Sequence, residues 1–105
     1  MGTIRKVKGV LVHAAQVAAV VREFPELGRF QLVIEHPPGE RYERATLRAG
    51  TTGAAPDDLP ARLTRRLKET VLIDIAVVLV PDAEIPEDAG PPRYAGAMVD
   101  RRAHK

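Results

Sequence analysis

The chain has 105 residues and 45% apolar content, which suits one domain with one modest core. Aromatics make up only 4%, so Val, Leu, Ile and Ala must build that core, and platforms for stacking on bases are nearly absent. Sixteen basic residues stand among fourteen acidic ones, and no cysteine is present, which excludes a disulfide framework and thiolate chemistry.

The basic runs at residues 5–8, 62–68 and 101–105 read as solvated faces. No stretch approaches the ~18 apolar residues of a membrane helix, and the N-terminus lacks a signal peptide's apolar core. A cytoplasmic protein is the expectation, with neither membrane nor nucleic acid as a partner.

Residues 1–6 are polar and basic and read as a lead-in. Residues 7–12 read as a strand in which Gly9 allows a close approach of the backbone to something else. The alanine-rich segment 14–23 predicts a helix, with Val17, Val20, Val21 and Phe24 on one stripe and Pro25 ending it. Residues 29–35 alternate, Phe30, Leu32 and Ile34 inward, as in a half-buried strand. A turn follows over 36–40, where Gly39 is free to take a positive φ, and residues 41–49 alternate again to complete a hairpin. Residues 50–56, small and flexible, read as a loop or linker to the next helix.

The second helix is the most clearly marked element. Asp57 or Asp58 is placed to cap it, Pro60 suits its first turn, and Leu59, Leu63 and Leu67 recur every four residues. The apolar run 73–80, interrupted only by Asp74, predicts a central strand buried on both faces, closed by Pro81. Residues 82–92 read as a proline-broken loop whose acids Asp82, Glu84, Glu87 and Asp88 are solvated, and 93–102 as a short edge strand. The order β-α-β-β-α-β predicts an α+β, ferredoxin-like domain spanning 1–105, an antiparallel sheet with two helices on one face.

No constellation of catalytic residues emerges. His13, His36 and His104 match no metal-ligand spacing, and no phosphate loop or nucleophile elbow is present. The expectation is therefore no catalytic residue, no metal and no cofactor bound by this domain alone.

Several short motifs nevertheless fall in a telling order. They are Lys8-Gly9-Val10-Leu11-Val12, Gln16-Val17, Phe24-Pro25-Glu26, Phe30-Gln31-Leu32-Val33-Ile34, Ile85-Pro86 and Val99-Asp100-Arg101-Arg102. Together they resemble the C-terminal domain of phenylacetate–CoA ligases, enzymes of the adenylate-forming, acyl-CoA synthetase superfamily. The resemblance implies a mobile cap that closes over an N-terminal adenylation domain, with ATP, Mg and CoA used by the parent enzyme and no activity in the cap alone. It makes residues 1–6 a hinge remnant or lead-in, and it puts Lys8 and Gly9 on the path of the CoA pantetheine.

Three departures accompany it. The large domain and the hinge aspartate before the lysine-glycine strand are missing, and His13-Ala14-Ala15 stands where relatives commonly have a proline. The lysine that often follows a glycine in the last loop has no counterpart at Gly90-Pro91 or Gly96-Ala97, and neither Arg93 nor Lys105 matches the motif. The alternative expectation is a standalone ferredoxin-like regulatory or protein-interaction module, with a homodimer as its natural partner.

Overall fold

The structure is a computed structural model that describes residues 4–89 and 96–101. Its elements are β1 (Ile4–Val7), β2 (Val10–His13), α1 (Ala14–Val21), β3 (Leu27–Glu35), β4 (Arg44–Thr51), α2 (Leu59–Val71), β5 (Ala76–Pro81) and β6 (Met98–Asp100). Two single 3-10 turns, Asp82–Glu84 and Glu87–Ala89, lie between β5 and β6.

The four-residue leucine repeat of α2 becomes a buried stripe of Leu59, Leu63, Leu67 and Val71. Val17, Ala18, Val20 and Val21 of α1 join it in one cluster with Phe30, Leu32 and Ile34 of β3 and Ala45, Leu47 and Ala49 of β4. Both helices thus cover the sheet face that the alternation in β3 and β4 assigned to the core. The α+β reading with two helices on one face stands. Gly39 takes φ +80°, as its turn requires.

Other details differ. The main sheet is mixed, ordered β5-β4-β3-β6, with β3 and β4 antiparallel and both outer strands added parallel. The first strand of the expected run does not enter this sheet. It splits at Lys8-Gly9 into β1 and β2, a separate antiparallel ribbon that starts inside the segment read as lead-in. The strand expected at 73–80 is shorter and lies at an edge, with Ala76 and Val78 exposed. Its apolar run misled because Ile73 and Ile75 are buried in the core cluster before the strand begins, and within β5 only Val77 and Leu79 pack against that cluster.

Asp58 occupies the N-cap of α2 without a side-chain cap bond, and its carboxylate instead meets Arg62 at 3.6 Å. At the other end Leu72 takes the left-handed C-cap conformation that glycine usually supplies, φ 70°, while its N–H donates to the Lys68 carbonyl at 3.0 Å. The edge strand expected at 93–102 is β6; residues 90–95 and 102–105, with Arg93, His104 and Lys105, lie outside the described residues.

The segment after β5 is fastened rather than loose. Asp82 reaches back over a bulge in β3, where its Oδ1 accepts the Arg29 N–H at 2.7 Å and its Oδ2 lies 3.7 Å from the Arg29 guanidinium. Arg29 also donates to the Ile85 carbonyl at 3.0 Å, and Ile85 is buried. Gly28 and Gly50 make room for this: a Cβ on either would stand 2.5 Å from Asp82 Oδ1. Asp82 is therefore a structural clamp and not a solvated loop acid, while Glu84, Glu87 and Asp88 are exposed as expected.

Candidate functional site

The ribbon formed by β1 and β2 turns at Lys8 (φ 53°) and Gly9 (φ 80°). Positive φ at both central residues of a two-residue loop makes this a type I′ hairpin turn, whose twist matches that of the flanking strands. Gly9 is free of strain in that region, whereas Lys8 bears a cost of about 1 kcal/mol or more. Little in the residues warns of such a turn, since Asn-Gly or Asp-Gly is the usual signature.

The ribbon is seated by its inner side. Val7 and Val12 are fully buried, and Val10 packs against the core cluster. The register pairs Lys6 with Leu11 and Ile4 with His13, which puts these four on the outer side. There Leu11 is 58% and Ile4 45% exposed.

At the tip the Lys8 N–H, which a type I′ turn leaves without a ladder partner, donates to Glu43 Oε1 at 3.1 Å. Glu43 comes from the far end of the β3–β4 connection, so the turn is tied to the body of the domain. Beyond Gly9 there is open space: a Cβ built there meets nothing within 4 Å. The structure thus brings Lys8 and Gly9 together on an exposed rim, in a turn rather than mid-strand. Sequence reasoning did not find Glu43, because a contact between segments 35 residues apart leaves no local pattern. The tip offers backbone, one ammonium group and the Glu43 carboxylate that holds the Lys8 N–H.

Of the histidines, the His13 N–H donates to Gln16 Oε1 at 3.4 Å at the start of α1, and His36 Nε2 bonds the Glu40 carbonyl at 2.9 Å within its turn. Among the described residues no three metal-ligating side chains gather, and no helix is long and apolar enough to cross a membrane.

A groove of about 380 Å³ lies at the end of α1, lined by Glu23, Phe24, Arg62, Arg65, Arg66 and Glu69. Arg66 bridges its walls, with Nε and Nη2 each 2.7 Å from a Glu23 oxygen and Nη1 2.7 Å from Glu69. These bonds hold the Glu23 carboxyl below the usual carboxylate range and push the Arg66 guanidinium up. The Arg62 guanidinium stands 5.4 Å from the Phe24 ring centre. The groove's charges are largely satisfied internally, so it reads as the seam between the helices.

No protein-family model matches the sequence, and neither does any curated protein. The fold does have solved counterparts. A domain of phenylacetate-coenzyme A ligase from Bacteroides vulgatus ATCC 8482 matches 97% of this chain over 95% of its own length, with TM-score 0.81 and 25% identity. 2-Hydroxyisobutyryl-CoA ligase, in complex with 2-HIB-AMP and CoA in the thioesterification state, matches 94% of this chain with TM-score 0.76 and 17% identity. A keto acid-selecting NRPS module containing adenylation, ketoreductase and pseudo Asub domains matches 80% with TM-score 0.69 and 10% identity. This chain spans 21% of the length of the 2-hydroxyisobutyryl-CoA ligase chain and 8% of that module.

Proposed function

We propose that this chain is the mobile C-terminal cap of an ATP-dependent acid–CoA ligase of the phenylacetate–CoA ligase type, closing over an N-terminal adenylation domain. The observation that carries the reading is the end-to-end match to the phenylacetate-coenzyme A ligase domain. The motif order of the sequence, from Lys8-Gly9 to Val99-Asp100-Arg101-Arg102, supports it independently.

In such an enzyme the acid attacks ATP to give an acyl-adenylate and pyrophosphate, and a thiol then displaces AMP. CoA supplies that thiol. A hinged domain serves by presenting a different face for each step and excluding water as it closes. The β1–β2 tip has the properties the second step asks of it. It projects from a buried base, Glu43 restrains it, and Gly9 leaves room for a slender chain to pass. The Lys8 ammonium beside it offers an anion an electrostatic contact. ATP, Mg and acid recognition fall to the adenylation domain, so this chain alone produces neither adenylate nor thioester.

The test is a chimaera in which this chain replaces the small domain of a phenylacetate–CoA ligase. Supplying phenylacetyl-adenylate and CoA bypasses the first half-reaction, where the missing lysine would weigh. The chimaera should form phenylacetyl-CoA, and Gly9→Leu should slow that step at least tenfold while pyrophosphate release keeps its chimaeric rate. A folded chimaera with no thioester formation overturns the reading. Equal loss in both steps with a lowered melting point reduces Gly9 to a turn residue.

A further inference from the structure

We propose that β5 pairs, through its open edge, with the β5 of a second copy of this chain, joining two sheets across a two-fold axis. In the sheet order β5-β4-β3-β6 the strand has β4 on one side and, among the described residues, no strand on the other. From Ala76 to Val80 it reads Ala-Val-Val-Leu-Val, with no charge and no proline before Pro81 at its end. Natural edge strands are usually short, charged, bulged or covered, because a bare row of N–H and C=O groups recruits another strand. Among the described residues β5 shows no charge, no bulge and no pairing strand on this edge, and Val78 within it is 47% exposed.

The chemistry of the edge selects its occupant. Without a charge to specify a different partner, it favours a β-branched, uncharged strand whose own edge is open. Among the described strands β5, with six residues, meets that description best; β2, Val10–His13, also lacks Asp, Glu, Lys and Arg but has only four residues and lies in the separate ribbon with β1. β6 has three residues and includes Asp100, and β1 carries Arg5 and Lys6. An antiparallel pair about Val78 sets Val78 across from its copy and Ala76 across from Val80. It also brings Asp74 near Asp82 of the other copy, and each carboxylate already has a cation of its own: Lys68 lies 3.1 Å from Asp74 and Arg29 3.7 Å from Asp82. The pairing therefore juxtaposes compensated charges. A two-fold contact uses both open edges and closes, so it yields a dimer and not a fibre. One strand per copy is at the small end of protein interfaces, which makes the association weak and concentration-dependent.

The experiment is sedimentation of the whole chain from about 10 µM to about 1 mM, with amide exchange at both ends of that range. The mass should rise from one copy toward two, and the β5 amides should exchange at least fivefold more slowly at the high end. Val78→Lys, an exposed position where lysine suits an edge, should keep the chain monomeric throughout with its melt unchanged at low concentration. Leu11→Lys on the ribbon should dimerise like the natural chain. A natural chain that stays monomeric at the highest concentration overturns the proposal. So does a dimer that survives Val78→Lys, or one abolished by Leu11→Lys alone. None of these outcomes bears on the ligase reading, which the chimaera tests separately.

Discussion

The ribbon tip and the Asp82 clamp both depend on glycine, for opposite reasons. At Gly9 the need is conformational: φ is +80° and the space around it is empty. At Gly28 and Gly50 the backbone is ordinary and the space is taken, because Asp82 occupies the volume of a side chain. One glycine shapes a projecting loop, and the other two let a distant segment be drawn down onto the sheet. A glycine at a proposed binding rim is therefore tested by what happens outside the domain, and a glycine beneath a clamp by what happens inside it.

Substitutions can pull the two regions apart. The largest loss is expected where both stand on common ground: Leu67→Ala in the shared core should cost about 2–5 kcal/mol in denaturant unfolding. Next comes Gly50→Ala, whose Cβ would lie 2.8 Å from the Asp82 Cα. Backbone cannot step aside cheaply, so about 1–3 kcal/mol is expected, with little relief from a second change, Asp82→Ala. Gly28→Ala meets mainly the Asp82 carboxylate. In a double-mutant cycle with Asp82→Ala its penalty should largely vanish, and additive losses would show that the clamp is misplaced. Asp82→Ala alone should cost about 1–3 kcal/mol, since it strips the Arg29 N–H of its acceptor.

Gly9→Ala should cost about 1 kcal/mol through the turn conformation alone, and Gly9→Asn less, because asparagine tolerates positive φ. The smallest effect belongs to the exposed Glu23–Arg66 pair. The Glu23 carboxyl is held below its ordinary 4.5, so its contribution is present above that value and fades as pH falls through the lowered one. A melting curve followed into acid should show this shallow loss in the natural chain, and Glu23→Gln should not. Added salt should shrink the difference.

How far the sequence foretold these regions depends on the range of the interactions behind them. The stripe of α2 and the alternation of β3 and β4 are periodic, and periodicity survives in sequence, so both were legible with the face each turns to the core. β5 was legible as a strand and misplaced as a central one, because an uncharged run looks the same whether its second edge is paired or bare. The ribbon was hidden because Lys8-Gly9 lacks the usual hairpin signature, and an unbroken hydrophobic trend runs through it. Lys8 and Gly9 were singled out by resemblance, and the structure changes their setting from mid-strand to turn. Asp82 could not be picked out at all: its role exists only once Gly28, Arg29 and Gly50 are folded beneath it.

The sheet order also carries a consequence for how the chain assembles and opens. Its middle pair, β3 with β4, is a local hairpin, while β6 joins only after most of the chain has been laid down, pairing Leu32 with Met98. Contacts that close long loops form late and are surrendered early. Yet the three-residue β6 guards buried ground: the Leu32 N–H donates to the Ala97 carbonyl at 2.6 Å, and the Ile34 carbonyl accepts the Arg101 N–H at 2.7 Å. Leu32 is fully buried, and still its amide hydrogen should exchange as fast as this last-fitted strand unzips. The deepest part of β3 is thus protected only as well as the three-residue strand beside it.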